Sequence, residues 1–550
     1  MRLPLRCGNG WIGQPQGLPL RNMSEEYDLE EYAPWLLIPI ILLGGFLRVL
    51  LLGNKGMWLD ETFSVWMASH SLPELMQWIV RIDQHPPLYY FLLHYWIALF
   101  GDTPYDTRLL SALFGAGAIP IIYLIGVRMS GAALGLAAAV LLAFSPFHIY
   151  FAQETRMYTL LTFNAVAAIY ALVRLLTDAR ASQPIGGQLR EYLHARRWSS
   201  VQIVATDLSW LALIVFSVAT MLSHNTAVLF PLATNVFVLG LLLFQRIRRA
   251  DTPFSFQAPT LGNWLKAQIG IFLLWSPWLY YFVKQAGAVD QRFWIPAPTW
   301  DTVVRTLQAF LNASAPLPAS QAAVVWLVYG VVLCLGLVHF RKQMARLLFL
   351  VVLLAVPFLG ELLVSIRRPI FYDRTLIWTT IPLFLLLAAG VVQVRFRFLM
   401  IALLGILSAF NLLAASDYYR FYQKEDWSTA AGYVANFAEK DDLVLFNSNF
   451  VEISFDYYFK PFEDLYSIQV VKQGVPLDLV DDGILEPEMT ARDVPALISS
   501  LHGHDRVWLV YSHEQYTDPT GIISETLASQ MELIRQRDFY GGQVRLYKAP

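Results

Sequence analysis

Long apolar runs alternate with short polar segments along most of this chain. A helix needs about 20 consecutive apolar residues to cross the hydrocarbon core of a membrane. Runs of that kind predict a polytopic α-helical membrane protein with about eleven transmembrane helices. The predicted spans are residues 34–53, 107–128, 132–150, 158–176, 206–223, 226–245, 264–284, 321–340, 347–366, 374–393 and 398–415.

A further apolar run, PPLYYFLLHYWIALF at 86–100, is shorter than the others. Lys and Arg favour the cytoplasmic ends of spans. The basic clusters at 174–197, 246–249, 341–346 and 395–397 therefore place four segments inside. Counting spans from these segments puts both ends of 86–100 on the outer side. We expect this run to lie along the membrane interface without crossing it; a short tilted span is the alternative.

The character of the chain changes near residue 416, where Gly and charged residues become more frequent. Apolar runs shorten to strand length and helical patterns lie between them. The strand-length runs are DLVLF (442–446), RVWLVY (506–511) and QVRLY (543–547), and the helical patterns are 427–438, 491–502 and 522–536. Strands that alternate with helices predict a small α/β domain. The span count places this domain outside.

These patterns divide the chain into three parts. Residues 1–30 lack an apolar core and are expected to form a flexible cytoplasmic tail. Residues 31–415 form the transmembrane domain, with a long first outer loop at 54–106. Residues 416–550 form the C-terminal extracytoplasmic α/β domain.

Composition supports a membrane protein, since 56% of the residues are hydrophobic and only 15% are charged. Soluble domains are about 25% charged. The 40 basic and 42 acidic residues nearly cancel, which gives no indication of a nucleic-acid partner. The two cysteines, Cys7 and Cys334, are far apart, so neither a disulfide framework nor a zinc knuckle is expected.

The span count places most of the polar residues near the membrane at the outer face. These residues are Asp60, Glu61, His85, Gln153, Glu154, Arg156, His224, Asn225, Arg367, Arg368, Asp373 and Arg374. A scattered set would have divided between the two faces. One shared site on the outer side is therefore expected.

The first outer loop contains WLDETFSVW, in which Asp60 and Glu61 lie among Trp58, Phe63 and Trp66. A long loop with structure of its own is more often functional than a short one. A carboxylate among aromatic rings has a raised pKa unless it is paired, and a general base needs such basicity. A simply solvated acidic pair is the alternative.

The segment FAQETRMY joins two predicted spans and holds Gln153, Glu154 and Arg156 within four residues. A tight turn would direct these side chains towards the outer site. Ionisable residues at membrane depth are costly and are therefore often functional. The alternative is a Glu154–Arg156 surface ion pair that contributes little.

Basic residues flank another outer turn, IRRPIFYDRTLIW, with Arg367 and Arg368 before it and Arg374 after it. Guanidinium groups bind phosphate through paired hydrogen bonds. The alternative is that these arginines reach towards lipid headgroups. His224 and Asn225, in SHNTA, either bind a substrate or satisfy each other.

A carboxylate base and a phosphate clamp on one face suit a particular reaction. Asp60 takes the proton of an acceptor hydroxyl, whose oxygen attacks the anomeric carbon of a sugar carried on a lipid phosphate. Positive charge on the departing phosphate oxygens helps this step. A single displacement predicts inversion at the anomeric carbon.

At these residues the chain resembles the membrane glycosyltransferases of the GT-C superfamily. It is most similar to the glycosyltransferase family 39 branch, which includes protein O-mannosyltransferases and the lipid A aminoarabinose transferase. The segments that carry the resemblance are WLDETFS, QHPPLYYFLLHYWIALFG, RLLSALFGAGAIPIIYLIG, SPFHIYFAQETRMYTLL and KEDWSTAAGYVA. They cover most of the first 180 residues and a segment near 424–434.

The resemblance implies the GT-C fold and a polyprenyl- or dolichyl-phosphate sugar donor used at the outer face of the cell membrane. The base of the family maps to Asp60, with Glu61 as its neighbour. Arg374 matches the place of an arginine that faces the lipid phosphate. Candidate substrate-binding residues are His85, Gln153, Glu154, Arg156, His224, Asn225, Arg368 and Arg374.

Two features of the resemblance are less direct. Relatives often carry an aspartate near the third span, where this chain has Glu154. Some relatives bind a divalent cation, for which His85 and Glu154 are the candidate ligands here.

Other classes of protein remain as alternatives. A lipid-linked glycan ligase or polymerase would use the same cavity with a different substrate. A transporter would need broken helices and ionisable groups near the middle of the membrane. A structural membrane subunit is the third alternative. The acceptor, whether protein, lipid or glycan, and the identity of the sugar stay open.

Overall fold

The computed structural model describes residues 21–83, 85–178, 181, 201–247, 256–288, 295–312, 319–447, 449–478 and 487–550. Several expectations fall outside these ranges. They concern the first 20 residues of the predicted tail, Cys7, and the basic residues Arg180, Arg190, Arg196, Arg197, Arg248 and Arg249.

Helices account for most of the described residues up to residue 437. They are α1 (Arg21–Val49), α2 (Leu59–Ser69), α3 (Leu72–Arg81), α4 (Leu88–Phe100), α5 (Pro104–Ser130), α6 (Ala132–Ala143), α7 (Pro146–Ala152), α8 (Tyr158–Thr177), α9 (Val201–Met221), α10 (Leu229–Ile247), α11 (Leu261–Ala288), α12 (Trp300–Asn312), α13 (Ala319–Phe340), α14 (Met344–Ser365), α15 (Thr380–Val392), α16 (Arg397–Phe421) and α17 (Trp427–Phe437). Short 3₁₀ helices at Asn225–Val228 and Asp373–Thr379 precede α10 and α15.

Within the described residues, eight helical segments are long and apolar enough to cross a membrane. They are Leu29–Val49, Pro104–Ser130, Tyr158–Thr177, Asn225–Ile247, Ala322–Phe340, Met344–Ser365, Asp373–Val392 and Arg397–Phe421. Each coincides with a span predicted from the sequence. A multi-pass helical membrane protein is therefore confirmed.

The other three predicted spans are helical, but none of them is a single helix that is long and apolar enough to cross a membrane. Residues 132–150 form two helices, α6 and α7, bent by 56° at a break where Ser145 caps α7 and Pro146 opens it. If this pair is one span, the number rises to nine in the described part of the chain. The predicted spans at 206–223 and 264–284 are helical, as α9 and α11, but do not meet the same length and hydropathy requirements. The number eleven thus stays a prediction.

The ends of two predicted segments also shift. Helix α1 begins at Arg21, so residues 21–30 of the predicted tail are helical.

The segment 86–100 forms α4, whose 13 residues give a length of about 20 Å at 1.5 Å per residue, which is shorter than the membrane core. Tyr89 and Tyr90 are buried against the protein, while Tyr95 is exposed.

Helix α15 is the central element of the membrane part, since almost all of its span is buried inside the protein. It packs on α13 with the two backbones in contact. A Cβ atom at Gly336 would collide with the carbonyl of Leu386, and one at Gly390 with the carbonyl of Val332. Because the 3₁₀ turn Asp373–Thr379 runs directly into α15, this packing also anchors Arg374.

The C-terminal part contains a five-stranded sheet in the order β2-β1-β3-β5-β4. Its strands are β1 (Leu443–Phe446), β2 (Val471–Gly474), β3 (Arg506–Tyr511), β4 (Glu532–Phe539) and β5 (Gly542–Lys548). Its helices are α18 (Val451–Tyr466), α19 (Val494–Leu501), α20 (Glu514–Thr517) and α21 (Ile522–Gln530). Strands β1, β2 and β3 are parallel, and β5 is antiparallel to β3 and β4.

The three predicted strands are present, but the helix predicted at 522–536 is wrong in its second half. Helix α21 ends at Gln530, and Glu532–Phe539 is an edge strand with an almost fully exposed surface. An exposed strand lacks the alternation of apolar and polar residues that identifies half-buried strands. Its pairing with β5 in a hairpin determines its conformation.

Candidate active site

Asp60 and Glu61 occupy the first turn of α2, where the helix dipole favours negative charge. Successive residues of a helix point about 100° apart, so the two carboxylates face different surroundings. The Asp60 side chain is 26% exposed, whereas that of Glu61 is fully buried.

Two guanidinium groups flank the Asp60 carboxylate. Its Oδ2 lies 3.1 Å from Nη1 of Arg374, which donates a hydrogen bond to it, and 3.8 Å from Nε of Arg156. Arg156 also donates to the backbone carbonyl of Asp60 at 3.3 Å and to the hydroxyl of Ser64 at 3.2 Å. Arg156 thus also holds the start of the helix, while the Arg374 contact is to the carboxylate.

The expectation for Asp60 is a raised pKa unless the carboxylate is paired, and the structure shows that it is paired. Burial alone would raise the pKa of its carboxyl, but Arg156 and Arg374 outweigh burial and hold the pKa below its ordinary value. The aromatic neighbours predicted a raised pKa for an unpaired carboxylate. The pairing with two distant arginines, which the local sequence does not reveal, reverses the direction.

Glu61 forms a dense buried ion cluster. Arg108 binds both of its oxygens, from Nε and Nη2, at 2.7 Å each. Lys424 donates to Oε2 at 2.8 Å, and the backbone N–H of Thr155 donates to Oε1 at 2.9 Å. Burial works to raise the pKa of Glu61, but Arg108 and Lys424 lower it to about 2. Glu61 is therefore a fixed anion that holds segments together and does not face an open site.

Arg108 and Lys424 are site residues that the sequence analysis did not identify. Arg108 also donates to the carbonyls of Leu52, Lys55 and Gly56, so it holds the chain that leads into α2. Both residues lie in segments that carry the family resemblance, RLLSALFG and KEDW. Their place in these segments is the sequence feature by which they could have been identified.

The three polar residues of the 153–156 turn have separate environments. The Gln153 amide donates to the carbonyls of Leu50 and Arg48 at the end of α1, at 2.7 and 3.2 Å. Glu154 is buried 3.6 Å from Lys424, and burial raises the pKa of its carboxyl. Arg156 joins Asp60. The alternative of a Glu154–Arg156 surface pair is wrong, because Glu154 is buried beside Lys424 and Arg156 contacts Asp60. Gln153 holds the end of α1 through its hydrogen bonds.

His85 and His224 lie next to each other, with ring centroids 5.2 Å apart. Nδ1 of His85 pairs with Asp83 at 2.8 Å, and Nδ1 of His224 is bound to the Thr226 hydroxyl at 3.0 Å. His85 is close enough to Asp60 to help lower the pKa of its carboxyl. These two imidazoles therefore border the Asp60 environment.

Asn225 and Arg368 lie outside this arrangement. Asn225 donates to Gln285 at 2.8 Å and accepts from the indole of Trp278 at 3.2 Å, so it links helices. Arg368 is exposed and donates to the carbonyl of Ala286. Of the basic turn, only Arg374 reaches Asp60.

The two candidate metal ligands, His85 and Glu154, have other partners in the structure, and a bound cation stays a prediction. His85 pairs with Asp83, and Glu154 adjoins the Lys424 ammonium. Over the described ranges, no group of three or more His, Cys, Asp or Glu side chains could hold a metal ion. The cations that adjoin Asp60 are the guanidinium groups of Arg156 and Arg374.

One segment of the chain matches a known protein family. Residues 84–186 match the family model described as dolichyl-phosphate-mannose-protein mannosyltransferase. This range contains α4 to α8, and with them Arg108 and the 153–156 turn. No curated protein matches the chain in sequence.

Solved structures share the fold over nearly the whole chain. ArnT from Cupriavidus metallidurans in the apo state matches with a TM-score of 0.59 and 11% identity, over 93% of this chain and 97% of that one. The same protein bound to undecaprenyl phosphate gives 0.55 and 12%, with the same coverage. The oligosaccharyltransferase AglB from Archaeoglobus fulgidus, in complex with an inhibitory peptide and a dolichol-phosphate, gives 0.50 and 10%, over 94% and 74%.

The predicted resemblance to the GT-C glycosyltransferases is therefore confirmed, in sequence over residues 84–186 and in fold over most of the chain.

Replacing Glu61 by Gln tests the buried ion cluster. The variant removes the anion that Arg108 and Lys424 share and leaves Lys424 with the more distant Glu154. This should lower the free energy of unfolding by about 3–5 kcal/mol at neutral pH. The pKa of Glu61 is depressed, so the stability it contributes is present above its ordinary pKa and is lost as pH falls towards about 2. Thermal melting in detergent should show a weaker pH dependence in that range for the variant.

The matched control is Glu439→Gln, which changes an exposed glutamate paired with Arg506. It should melt close to the unmodified protein at every pH. Equal melting of Glu61→Gln and Glu439→Gln would contradict the structural role of Glu61.

Proposed function

We propose that this chain, which has the fold of the GT-C glycosyltransferases, transfers a sugar from a polyprenyl-phosphate donor to an acceptor hydroxyl at the outer face of the membrane. The observation that carries the proposal is the partly exposed Asp60 carboxylate beside Arg374. It places a proton acceptor in direct contact with a cation of the kind that binds phosphate. The adjacent His85 and His224 supply further polar groups for the sugar.

In the proposed step, the acceptor O–H bond breaks and its proton passes to a carboxylate oxygen of Asp60. The acceptor oxygen forms a bond to the anomeric carbon as the bond from that carbon to the phosphate oxygen breaks. The electron pair leaves with the phosphate, whose negative charge Arg374 stabilises. Attack from the face opposite the leaving group inverts the anomeric carbon.

Donor binding also adjusts the strength of the base. Without a donor, Arg156 and Arg374 hold the pKa of Asp60 low. A phosphate that binds Arg374 competes with Asp60 for the same guanidinium group. The carboxylate then loses one of its cationic partners, and its basicity rises when the donor is in place.

The likeness in fold to proteins solved with undecaprenyl phosphate and with dolichol-phosphate supports a lipid-phosphate donor. The positive-inside pattern supports the outer face, since basic residues cluster at the ends of spans opposite to Asp60.

Asp60→Asn preserves the shape of the side chain and removes the base. Transfer from a polyprenyl-phosphate sugar should fall at least about 100-fold, which is the lower range for general-base catalysis. The measurement is the initial rate with purified protein in detergent or proteoliposomes. Asp102→Asn, an exposed aspartate of the same outer loop, is the matched control and should keep the rate. Undiminished transfer by Asp60→Asn would remove Asp60 from the reaction.

Arg374→Gln tests the phosphate contact separately. Loss of a charge-assisted hydrogen bond costs about 1.5–3 kcal/mol, so affinity for polyprenyl phosphate should fall by about 10-fold or more. Asp60→Asn should retain or increase that affinity, because it releases Arg374 from its ion pair. Binding of undecaprenyl phosphate is the measurement.

The control for the arginine is Arg305→Gln, an exposed arginine that pairs only at the surface of α12 with Asp301. If Arg374→Gln binds undecaprenyl phosphate as tightly as Arg305→Gln does, Arg374 does not hold the donor.

A cysteine at position 103 tests the side of the membrane. Thr103 is exposed just before α5, so Thr103→Cys should react with an impermeant maleimide on intact cells. Lys342→Cys, exposed between α13 and α14, should react only after the membrane is opened. The reverse pattern would place Asp60 on the cytoplasmic face. The unmodified protein, with its own Cys7 and Cys334, gives the background.

A further inference from the structure

Three consecutive charged residues, Lys424, Glu425 and Asp426, connect α16 to the C-terminal sheet. Their side chains contact three different parts of the protein. Lys424 enters the buried cluster at Glu61, and Asp426 caps α17 by accepting from the N–H of Thr429 at 3.1 Å. Glu425 turns towards the start of α2, where Asp60 lies.

The Glu425 carboxylate is mostly buried and uses both oxygens. Its Oε2 accepts the backbone N–H of Leu59 at 3.0 Å and the indole N–H of Trp427 at 2.7 Å. Its Oε1 lies 3.2 Å from Nε2 of His513. Leu59 is the first residue of α2 and directly precedes Asp60. A helix N-terminus has backbone donors without intrahelical partners, and Glu425 satisfies one of them with a full negative charge.

The surroundings of Glu425 are closely packed. A Cβ atom at Gly541, in the tight turn between β4 and β5, would lie 2.6 Å from the Cγ of Glu425, so only glycine fits there without displacement. The backbone of Gly541 is in the left-handed region at φ 95°, which glycine adopts at little cost. The hairpin therefore closes directly over this carboxylate.

His513 is likewise held in place. It follows β3, and its Nδ1 lies 2.9 Å from the hydroxyl of Ser512, which itself donates to the carbonyl of Gly541. The backbone of His513 has φ 57°, an uncommon conformation for a residue with a side chain. A strained residue persists only where its surroundings determine it. The carboxyl end of β3, the hairpin turn and Glu425 thus form one connected unit.

We propose that Glu425 is a positioning residue for Asp60, through which the C-terminal sheet sets the start of α2. The inference rests on the proposed function, since it assigns a catalytic consequence to the placement of Asp60. The C-terminal part is then a component of the active-site framework. Glu425 touches no reacting atom; it acts through the backbone of Leu59.

Other contacts keep the C-terminal part attached when Glu425 is changed. The Tyr458 hydroxyl accepts from the N–H of Met57 at 2.7 Å, and the hydroxyls of Thr62 and Ser454 are 2.7 Å apart. Lys424 still reaches Glu61. A Glu425 variant should therefore weaken the hold on the start of α2, while the contacts between the C-terminal part and residues 57–62 remain.

The experiment compares Glu425→Ala with Glu425→Gln in the full-length protein. The alanine variant leaves the Leu59 N–H without its acceptor, and kcat for sugar transfer should fall about 10- to 100-fold, as expected for a small displacement of a catalytic group. The KM for the polyprenyl-phosphate sugar should stay within about twofold, because Arg374 is untouched. The glutamine variant, whose amide oxygen can accept the same hydrogen bond, should recover most of kcat.

Glu439→Gln, in the same C-terminal part but paired with Arg506 at the surface, is the control and should leave both constants unchanged. A merely structural role for Glu425 would reduce the amount of folded protein without changing kcat per folded molecule. An unchanged kcat in Glu425→Ala, or equal losses in the alanine and glutamine variants, would overturn the proposal.

A second measurement separates this inference from the proposed function. Amide hydrogen exchange at residues 57–62 should be faster in Glu425→Ala than in the unmodified protein and in Glu439→Gln. If the unmodified protein transfers no sugar but exchange at 57–62 responds in this way, the proposed function fails while Glu425 still sets the helix start. If exchange does not respond, the positioning role is wrong whatever the activity.

Discussion

The buried carboxylate of Glu61 joins four segments that are distant along the chain. Arg108 comes from a membrane helix, Lys424 from the connection to the C-terminal sheet, and the Thr155 amide from the turn after α7. A buried charge is tolerated only when its partners satisfy it fully. The cluster therefore requires the loop that contains α2, the membrane helices and the C-terminal part to meet in one arrangement, and the site at Asp60 is a consequence of that arrangement.

The neighbouring residues Asp60 and Glu61 have opposite environments for a geometric reason. A rotation of about 100° between successive helix positions turns one carboxylate inwards to Arg108 and Lys424 and leaves the other partly open beside Arg374. The inward carboxylate fixes the helix so that the outward one has a defined position. The proposed displacement at a sugar phosphate would use a fixed carboxylate and a fixed guanidinium group, since such a reaction depends on positioning and on stabilising the departing charge.

Much of the fold was predictable because it follows from local patterns. Membrane-length apolar runs predicted eight spans that the structure contains, and three short apolar runs predicted β1, β3 and β5. The break at Ser145 and Pro146 and the exposed strand Glu532–Phe539 were not predicted, because a bend and an edge strand depend on the neighbours against which they pack. Among the candidate site residues, Arg156 and Arg374 do meet Asp60, whereas Gln153, Asn225 and Arg368 have other partners.

The sequence by itself determined the class of protein, the position of Asp60 shortly after the first predicted span and the set of polar residues from which the site is drawn, because hydropathy and charge act locally along the chain. Only the tertiary structure decided which charges pair. Arg374 lies 314 positions from Asp60, and Lys424 lies 363 from Glu61. Electrostatic energy depends on distance in space and on burial, so the direction of the Asp60 pKa and the structural role of Glu61 exist only once the helices and the C-terminal sheet have come together.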